Sequence, residues 1–383
     1  MKFSTFHLYR QPAGWSEQQT YDYENQVILW ADELGFDTAW IAEHHFRDYG
    51  IVPNTMLLMA NLAARTRRVR FGNAVVIMPF HHPLRVAEDA AMMDLLSGGR
   101  LNFGFGRGYQ GVEFTAFEVS MDDTREKTDE ALEVILKAWE GKPFSHHGKY
   151  WHFDNVKVVP SPVQKPHPPL FYASISPDSI RHNARTGVPF ITDSSIKFDT
   201  LKESVQMWRA VAREHGHDPN ANRHATMRAI YVGETNEKAR EFARLQSTSL
   251  PFARAYNPHK EGRTRDEVYA RESAPIDPRT GRVARGYEYW EKGYLGRSLS
   301  EFQLGTDESW EERWVAGDLD RVIGKLKMLE EIGIGEVLCT LAHADPRIGQ
   351  MPRMPLRDMY GYMERFARDV MPHFEEKAPV KAK

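Results

Sequence analysis

The chain has 383 residues, 41% of them hydrophobic and 27% charged, with a formal net charge of −3. That length holds two ordinary domains or one large α/β barrel with insertions, and the balanced charge, spread along the chain, leaves no basic footprint for nucleic acid. A lone cysteine, Cys339, excludes a disulfide framework or thiolate metal site, and no run of about eighteen apolar residues is present to span a membrane. These features predict a cytoplasmic protein acting on a small molecule, without nucleic-acid or membrane partners.

Lys2 to Leu8 reads as the first strand and Thr20 to Leu34 as the first helix, with Val27, Trp30, Ala31 and Leu34 at helical spacing and Gly35 as its stop. The strand Thr38 to Ala42 runs into Glu43-His44-His45-Phe46. Alternation along a strand puts Glu43 and His45 on one side and His44 on the other. A helix at Asn54 to Ala64, a strand at Val69 to Ile77 and a helix at Pro83 to Leu96 follow, the last closed by Gly98-Gly99. Next come the strand Leu101 to Phe105 and the long helix Asp123 to Trp139. Four more strands are expected at Leu170 to Ala173, Pro189 to Thr192, Ala225 to Val232 and Glu336 to Leu341, with helices at Pro177 to Thr186, Asp199 to Glu214, Asn236 to Leu250 and Leu356 to Phe374. Eight strands alternating with helices predict an α/β fold, a single (β/α)8 TIM barrel over residues 1–383, rather than an open doubly wound sheet. Two stretches interrupt the repeat: a hairpin (His146 to Val159) with a proline-rich connector, about 144–169, and a long segment, about 251–314, read as a lid or a surface insertion.

At the end of the fourth strand stands Gly104-Phe105-Gly106-Arg107-Gly108-Tyr109. It lacks the third glycine of a dinucleotide fingerprint, but glycines flanking an arginine allow close backbone approach while Arg107 offers a planar fork to phosphate oxygens. The fifth strand ends in Ala173-Ser174-Ile175-Ser176, and Pro177 opens a helix whose free N–H groups favour an anion. Each motif has a plainer reading, a tight turn in the first case and an N-cap serine in the second. Together they aim an arginine and a helix N-terminus at one phosphate. Arg125, in a first helical turn where carboxylates are preferred, also points to an anion. The adjacent histidine pairs, among them His81-His82 and His146-His147, lack the spacing that places two ligands on one helical turn, so no metal is expected. The apolar stripe Met56 to Leu62 and Ala90-Ala91-Met92-Met93 predict an interface, and with it a homodimer.

Several motifs resemble bacterial luciferase and the luciferase-like flavin-dependent monooxygenases: Gly35 to Trp40, Glu43-His44-His45-Phe46, His82 to Asp89, Gly98-Gly99-Arg100, Phe103 to Gly108 and Asp369-Val370-Met371-Pro372. The resemblance, spanning nearly the whole chain, implies that reduced FMN and dioxygen form a C4a-peroxide that oxygenates a small organic substrate, with a separate reductase supplying the flavin. It implies His44 as the acid or base beside the ring. It implies Arg107, Arg125, Ser176 and Ser179 at the phosphate, with Gly106, Gly108, Tyr109, Ala173, Ser174 and Ile175 around the cofactor, and Ala74-Val75 where relatives carry a non-prolyl cis peptide. Arg285, Tyr287 and Lys292 match the mobile loop of luciferase, which implies a lid that excludes water. Gly106, Ser174 and Asp193-Ser194-Ser195 depart from luciferase, where a cysteine, a glutamate and a tryptophan-bearing segment stand, and this argues against light emission with a long-chain aldehyde. An F420-dependent hydride-transfer enzyme and a non-catalytic flavin-binding protein are the alternatives.

Overall fold

The computed structural model describes residues 1–12, 14–220, 224–248, 276–277, 282–285, 287, 307–341 and 354–374. In chain order its strands are β1 (Lys2–His7), β2 (Thr38–Ile41), β3 (Arg70–Asn73), β4 (Val76–Ile77), β5 (Leu101–Gly106), β6 (Phe144–His147), β7 (His152–Val156), β8 (Leu170–Ala173), β9 (Phe190–Thr192), β10 (His224–Val232), β11 (Ile276–Asp277), β12 (Arg282–Val283), β13 (Val315–Gly317) and β14 (Ile334–Thr340). The helices are α1 (Glu17–Leu34), α2 (Thr55–Ala63), α3 (Pro83–Ser97), α4 (Gly111–Ala116), α5 (Thr124–Trp139), α6 (Pro177–Ala184), α7 (Phe198–Glu214), α8 (Asn236–Thr248), α9 (Asp307–Glu312), α10 (Leu319–Ile332) and α11 (Leu356–Asp369).

Strands β14, β1, β2, β3, β5, β8, β9 and β10 pair in parallel in that order, and β10 pairs back onto β14, which closes the sheet into the expected eight-stranded barrel. Closure leaves no open edge among these eight. Phe6, Trp40, Phe171, Ile191, Ala225 and Leu338 come from six different strands yet form one cluster, so they fill the barrel's interior. Two larger apolar layers lie between the strands and the helices. The interior also holds a buried acid: Glu336 Oε1 accepts from Ser4 Oγ at 2.6 Å and from Trp40 Nε1 at 2.7 Å, and burial pushes its carboxyl above the usual range.

Local signals explain the element boundaries. Ser16 and Gln19 form a reciprocal capping box that starts α1 a turn earlier than the apolar spacing suggests, and Gly35 closes it at φ 83°. Asn54 caps α2 and Ser176 caps α6. The hairpin of β6 and β7 starts two residues before the expected His146. The stretch Val69 to Ile77, expected as one strand, is interrupted at a cis Ala74–Val75 peptide, with β3 and β4 both pairing onto β5. The sequence reading places no element between the insertion and the last strand, but β13 and α10 are there. α10 carries its own signals: Asp318 accepts from Arg321 N as N-cap, Val322, Ile323, Leu326 and Leu329 are buried, and Gly333 ends it at φ 108°.

Candidate active site at the barrel mouth

The segment after β2 bends away from the sheet, and the side-chain alternation survives the bend. Glu43 is buried, and its Oε1 accepts from His45 Nε2 at 3.1 Å and His81 Nε2 at 2.8 Å. Those two imidazoles hold the Glu43 carboxyl below its ordinary range although burial alone would raise it, and the same pairing raises His81. His44 turns the other way. Its Nδ1 lies 2.9 Å from Glu113 Oε1 and 3.0 Å from Gln110 Nε2, and its ring meets Tyr49 edge-on at 4.8 Å and Tyr109 at 6.2 Å. Gly50 packs against the same ring: a Cβ there would come within 3.0 Å of His44 Cβ and 3.1 Å of its Cδ2. Tyr49 is bonded to the Tyr109 hydroxyl, and burial pushes its phenol up to about 12, so it remains a neutral donor. Burial also raises Asp193, at the end of β9, within electrostatic reach of Tyr49.

Glu113, Gln110 and Tyr49 were not among the sequence expectations. α4, which carries Glu113 and is N-capped by Gln110, is only six residues long, too short for apolar periodicity to reveal it.

A second group gathers around β5 and β8. Arg107 lies over the Tyr287 ring at 4.5 Å, and the Tyr287 hydroxyl donates to Gly108 O at 2.8 Å and meets Thr124 Oγ1 at 3.2 Å. Arg107 and Arg125 both lie within electrostatic reach of the phenols of Tyr172 and Tyr287. α6 begins four residues after β8: Ser176 Oγ accepts from Ser179 N at 3.1 Å, and Ser179 Oγ donates to Ser176 O at 2.8 Å. Both hydroxyls therefore organise the helix start; Pro177 has no N–H and those of Ser179 and Ile180 are bonded to Ser176, so Asp178 carries the N–H of this turn left for an anion.

Between the two groups the surface is shaped by a glycine. A Cβ on Gly106 would meet Val75 Cγ2 at 3.0 Å and Ala173 Cβ at 3.2 Å, so Gly106, the cis Ala74–Val75 pair and Ala173 lie against one another. Gly108 has φ 73°, and a Cβ there would collide with Ile77 Cγ2 at 2.6 Å. Ser174 Oγ is buried with no hydrogen-bond partner. Ile175 is partly buried against the outer apolar layer. Of the expected lid residues, Tyr287 is packed with Ala284, Phe114 and Met121, Arg285 is exposed with its N donating to Asp122 Oδ1 at 3.3 Å, and Lys292 lies outside the described residues.

The family described as luciferase-like monooxygenase matches residues 1–336. The flavin-dependent trigonelline monooxygenase, oxygenase component, of Acinetobacter baylyi is 26% identical over 379 residues, 98% of this chain and 96% of that protein. Two solved structures share the fold. The oxygenating constituent of 3,6-diketocamphane monooxygenase from Pseudomonas putida, in complex with FMN, has a TM-score of 0.73 at 20% identity, covering 98% of this chain and 99% of that one. An F420-dependent secondary alcohol dehydrogenase in complex with an F420-acetone adduct has a TM-score of 0.68 at 19% identity, with the same coverages. No described helix is long and apolar enough to cross a membrane. Matched by the family over residues 1–336, this barrel belongs to the luciferase-like monooxygenases.

Proposed function

We propose that this chain is the oxygenase of a two-component system, taking reduced FMN from a separate reductase and using dioxygen to oxygenate a small organic substrate. The observation that carries the reading is the division of one barrel mouth into two chemistries. Arg107 and Arg125, which both act on Tyr172 and Tyr287, and the Asp178 N–H at the start of α6 suit a phosphate, while His44, held by Glu113, provides an acid or base. The residues fit a flavin: Ser174 offers a buried hydroxyl without a protein partner, and Gly106 keeps the wall beside Val75 and Ala173 flat enough for a ring to approach.

When bound, reduced FMN supplies the activation of dioxygen. The protein's own part is to grip the phosphate with Arg107 and Arg125, to hold the ring against Gly106, Val75, Ala173 and Ser174, and to hold or release a proton at His44 Nε2. Tyr287, bound to Gly108 O and stacked on Arg107, ties the segment around residue 285 to the phosphate cradle, the arrangement a lid needs to shut out water. The similarity to the oxygenase component of a trigonelline monooxygenase supports a separate reductase. Leu57 on α2 and Leu96 on α3, 72% and 60% exposed, with Met92 and Leu95 beside them, supply an apolar face for a homodimer, and the buried thiol of Cys339 suits the cytoplasm.

The test is oxygen uptake with photoreduced FMN, followed by mass spectrometry of products formed under labelled dioxygen from a panel of aldehydes, ketones, terpenes and aromatics. Incorporation of one labelled oxygen atom per product is expected. Uptake no faster than autoxidation, with unlabelled products throughout, would overturn the reading; hydride transfer from reduced F420 in the same preparation would replace it, and tight flavin binding with neither reaction would mark a non-catalytic flavoprotein.

A further inference from the structure

His44 Nδ1 has two partners of opposite character. Glu113 Oε1, at 2.9 Å, only accepts while ionised, and Gln110 Nε2, at 3.0 Å, only donates. The two therefore serve different protonation states of one ring nitrogen. Gln110 is held in this orientation because its Oε1 accepts from Arg47 Nη1 at 3.4 Å. Glu113 is fixed as well: its Oε1 also accepts from the backbone N–H of His45 at 3.0 Å, and its Oε2 is buried without a hydrogen bond. His44 Nε2 makes no hydrogen bond with the described residues, and the phenols of Tyr49 and Tyr109 are the other titratable groups against the ring.

We propose that Glu113 and Gln110 are positioning residues that satisfy His44 Nδ1 with or without its proton, Glu113 setting the resting tautomer as Nδ1–H so that Nε2 stands bare as a base. The inference rests on the role given to His44 above. A charge-assisted hydrogen bond is roughly twice as strong as a neutral one, so the carboxylate, not the amide, holds the resting ring. A proton taken up at Nε2 makes an imidazolium whose charge Glu113 offsets. The imidazolium then gives that proton up from Nε2 as an acid, which restores the neutral Nδ1–H ring facing Glu113; whenever Nδ1 is bare instead, it accepts from Gln110. One imidazole can thus act as base and then as acid without rotating.

Ring-15N NMR of histidine-labelled protein reads the tautomer directly, with the His44 signals assigned by their loss in His44→Ala. The resting protein should show a protonated Nδ1 and a bare Nε2. Glu113→Gln should move the proton to Nε2, lower turnover by at least about tenfold, and shift the acid limb of the pH–rate profile downward. Glu113→Asp should restore part of both, and Gln110→Leu should keep the resting tautomer of the parent protein. A bare Nδ1 in the resting protein, or a tautomer and pH profile unchanged by Glu113→Gln while His44→Ala still abolishes oxygenation, would overturn the proposal. Full oxygenation by His44→Ala would instead remove His44 from the chemistry, leaving the tautomer result to be judged separately. If Glu113→Gln does not fold, the parent and Gln110→Leu spectra still decide, because a bare Nδ1 in either refutes the assignment.

Discussion

Arg107 stacks on Tyr287 and, with Arg125, is the cation proposed for the phosphate, so on that proposal its loss shows in cofactor affinity before it shows in chemistry. Arg107→Ala should weaken FMN binding by about 10–100-fold, as expected when roughly 1.5–3 kcal/mol of charge-assisted bonding is lost. A flavin fluorescence titration checks this, and unchanged affinity would take Arg107 out of the site. His44→Ala should have the opposite profile, with flavin binding preserved and oxygenation reduced by about 100-fold or more. Single-turnover product yield at saturating reduced FMN measures it. Contact between Gly50 and the His44 ring adds a subtler case: in Gly50→Ala the imidazole must move by tenths of an ångström, and turnover should fall without a matching loss of thermal stability.

At the scale of elements, the interrupted third strand shapes the wall beside Gly106. β3 and β4 pair with the same neighbour on either side of Ala74–Val75, so the interruption presents Val75 toward Gly106 rather than breaking the wall. Room for this comes from glycines. A Cβ on Gly104 would lie 1.9 Å from Asn73 O, and one on Gly72 would lie 2.3 Å from Trp40 Cε3, so neither strand can carry a side chain there while Trp40 fills the interior. Gly104→Ala is expected to destabilise the protein by about 1–3 kcal/mol or more, the usual cost of overpacking. Equilibrium denaturation in urea reads that cost, and a midpoint equal to the parent's would show the backbone relaxing freely at this point.

Across the whole molecule, burial sets the pH response. His224 stacks on Phe190 at 3.9 Å and meets Trp208 edge-on at 4.6 Å; burial, reinforced by Arg209, pushes its imidazole down to about 3. Its Nδ1 accepts from Phe190 N, a bond that protonation breaks. A histidine depressed on folding stabilises fully above its unfolded value of about 6.5, and that contribution is lost as pH falls toward 3, with a limiting slope of about 1.4 kcal/mol per pH unit. His224→Asn keeps an acceptor but does not titrate, so its unfolding free energy should fall less between pH 6.5 and pH 4 than the parent's. Parallel curves for the two proteins would reassign the acid sensitivity. Assembly belongs to this scale too. For the homodimer proposed above, light scattering should find a dimer in the parent and a monomer in Leu96→Asp on the exposed α3 face, with far-ultraviolet circular dichroism unchanged; a monomeric parent would overturn the assembly and a dimeric variant would place the interface elsewhere.

The architecture was legible because its signals are local. Apolar runs, Gly35 and Gly98 as stops, and Asn54 and Ser176 as caps fix strands and helices within a few residues of one another, and eight strands alternating with helices leave few ways to close a sheet. The same locality marked His44, Arg107 and Ser176, each at the end of a strand or the start of a helix. What only the tertiary structure decided is which groups meet. Glu113 lies 69 positions from His44, and its helix is too brief to leave a periodic trace. Gln110 and Tyr109 become partners of that ring only because β2 and β5 bring their ends to one mouth, while Tyr49 reaches it within the same segment after β2. α10 is the exception: its cap, apolar spacing and closing glycine were all present in the chain. Hydrogen bonds and ring contacts across long loops leave no period in a sequence, because closure of the barrel, not chain distance, sets their geometry.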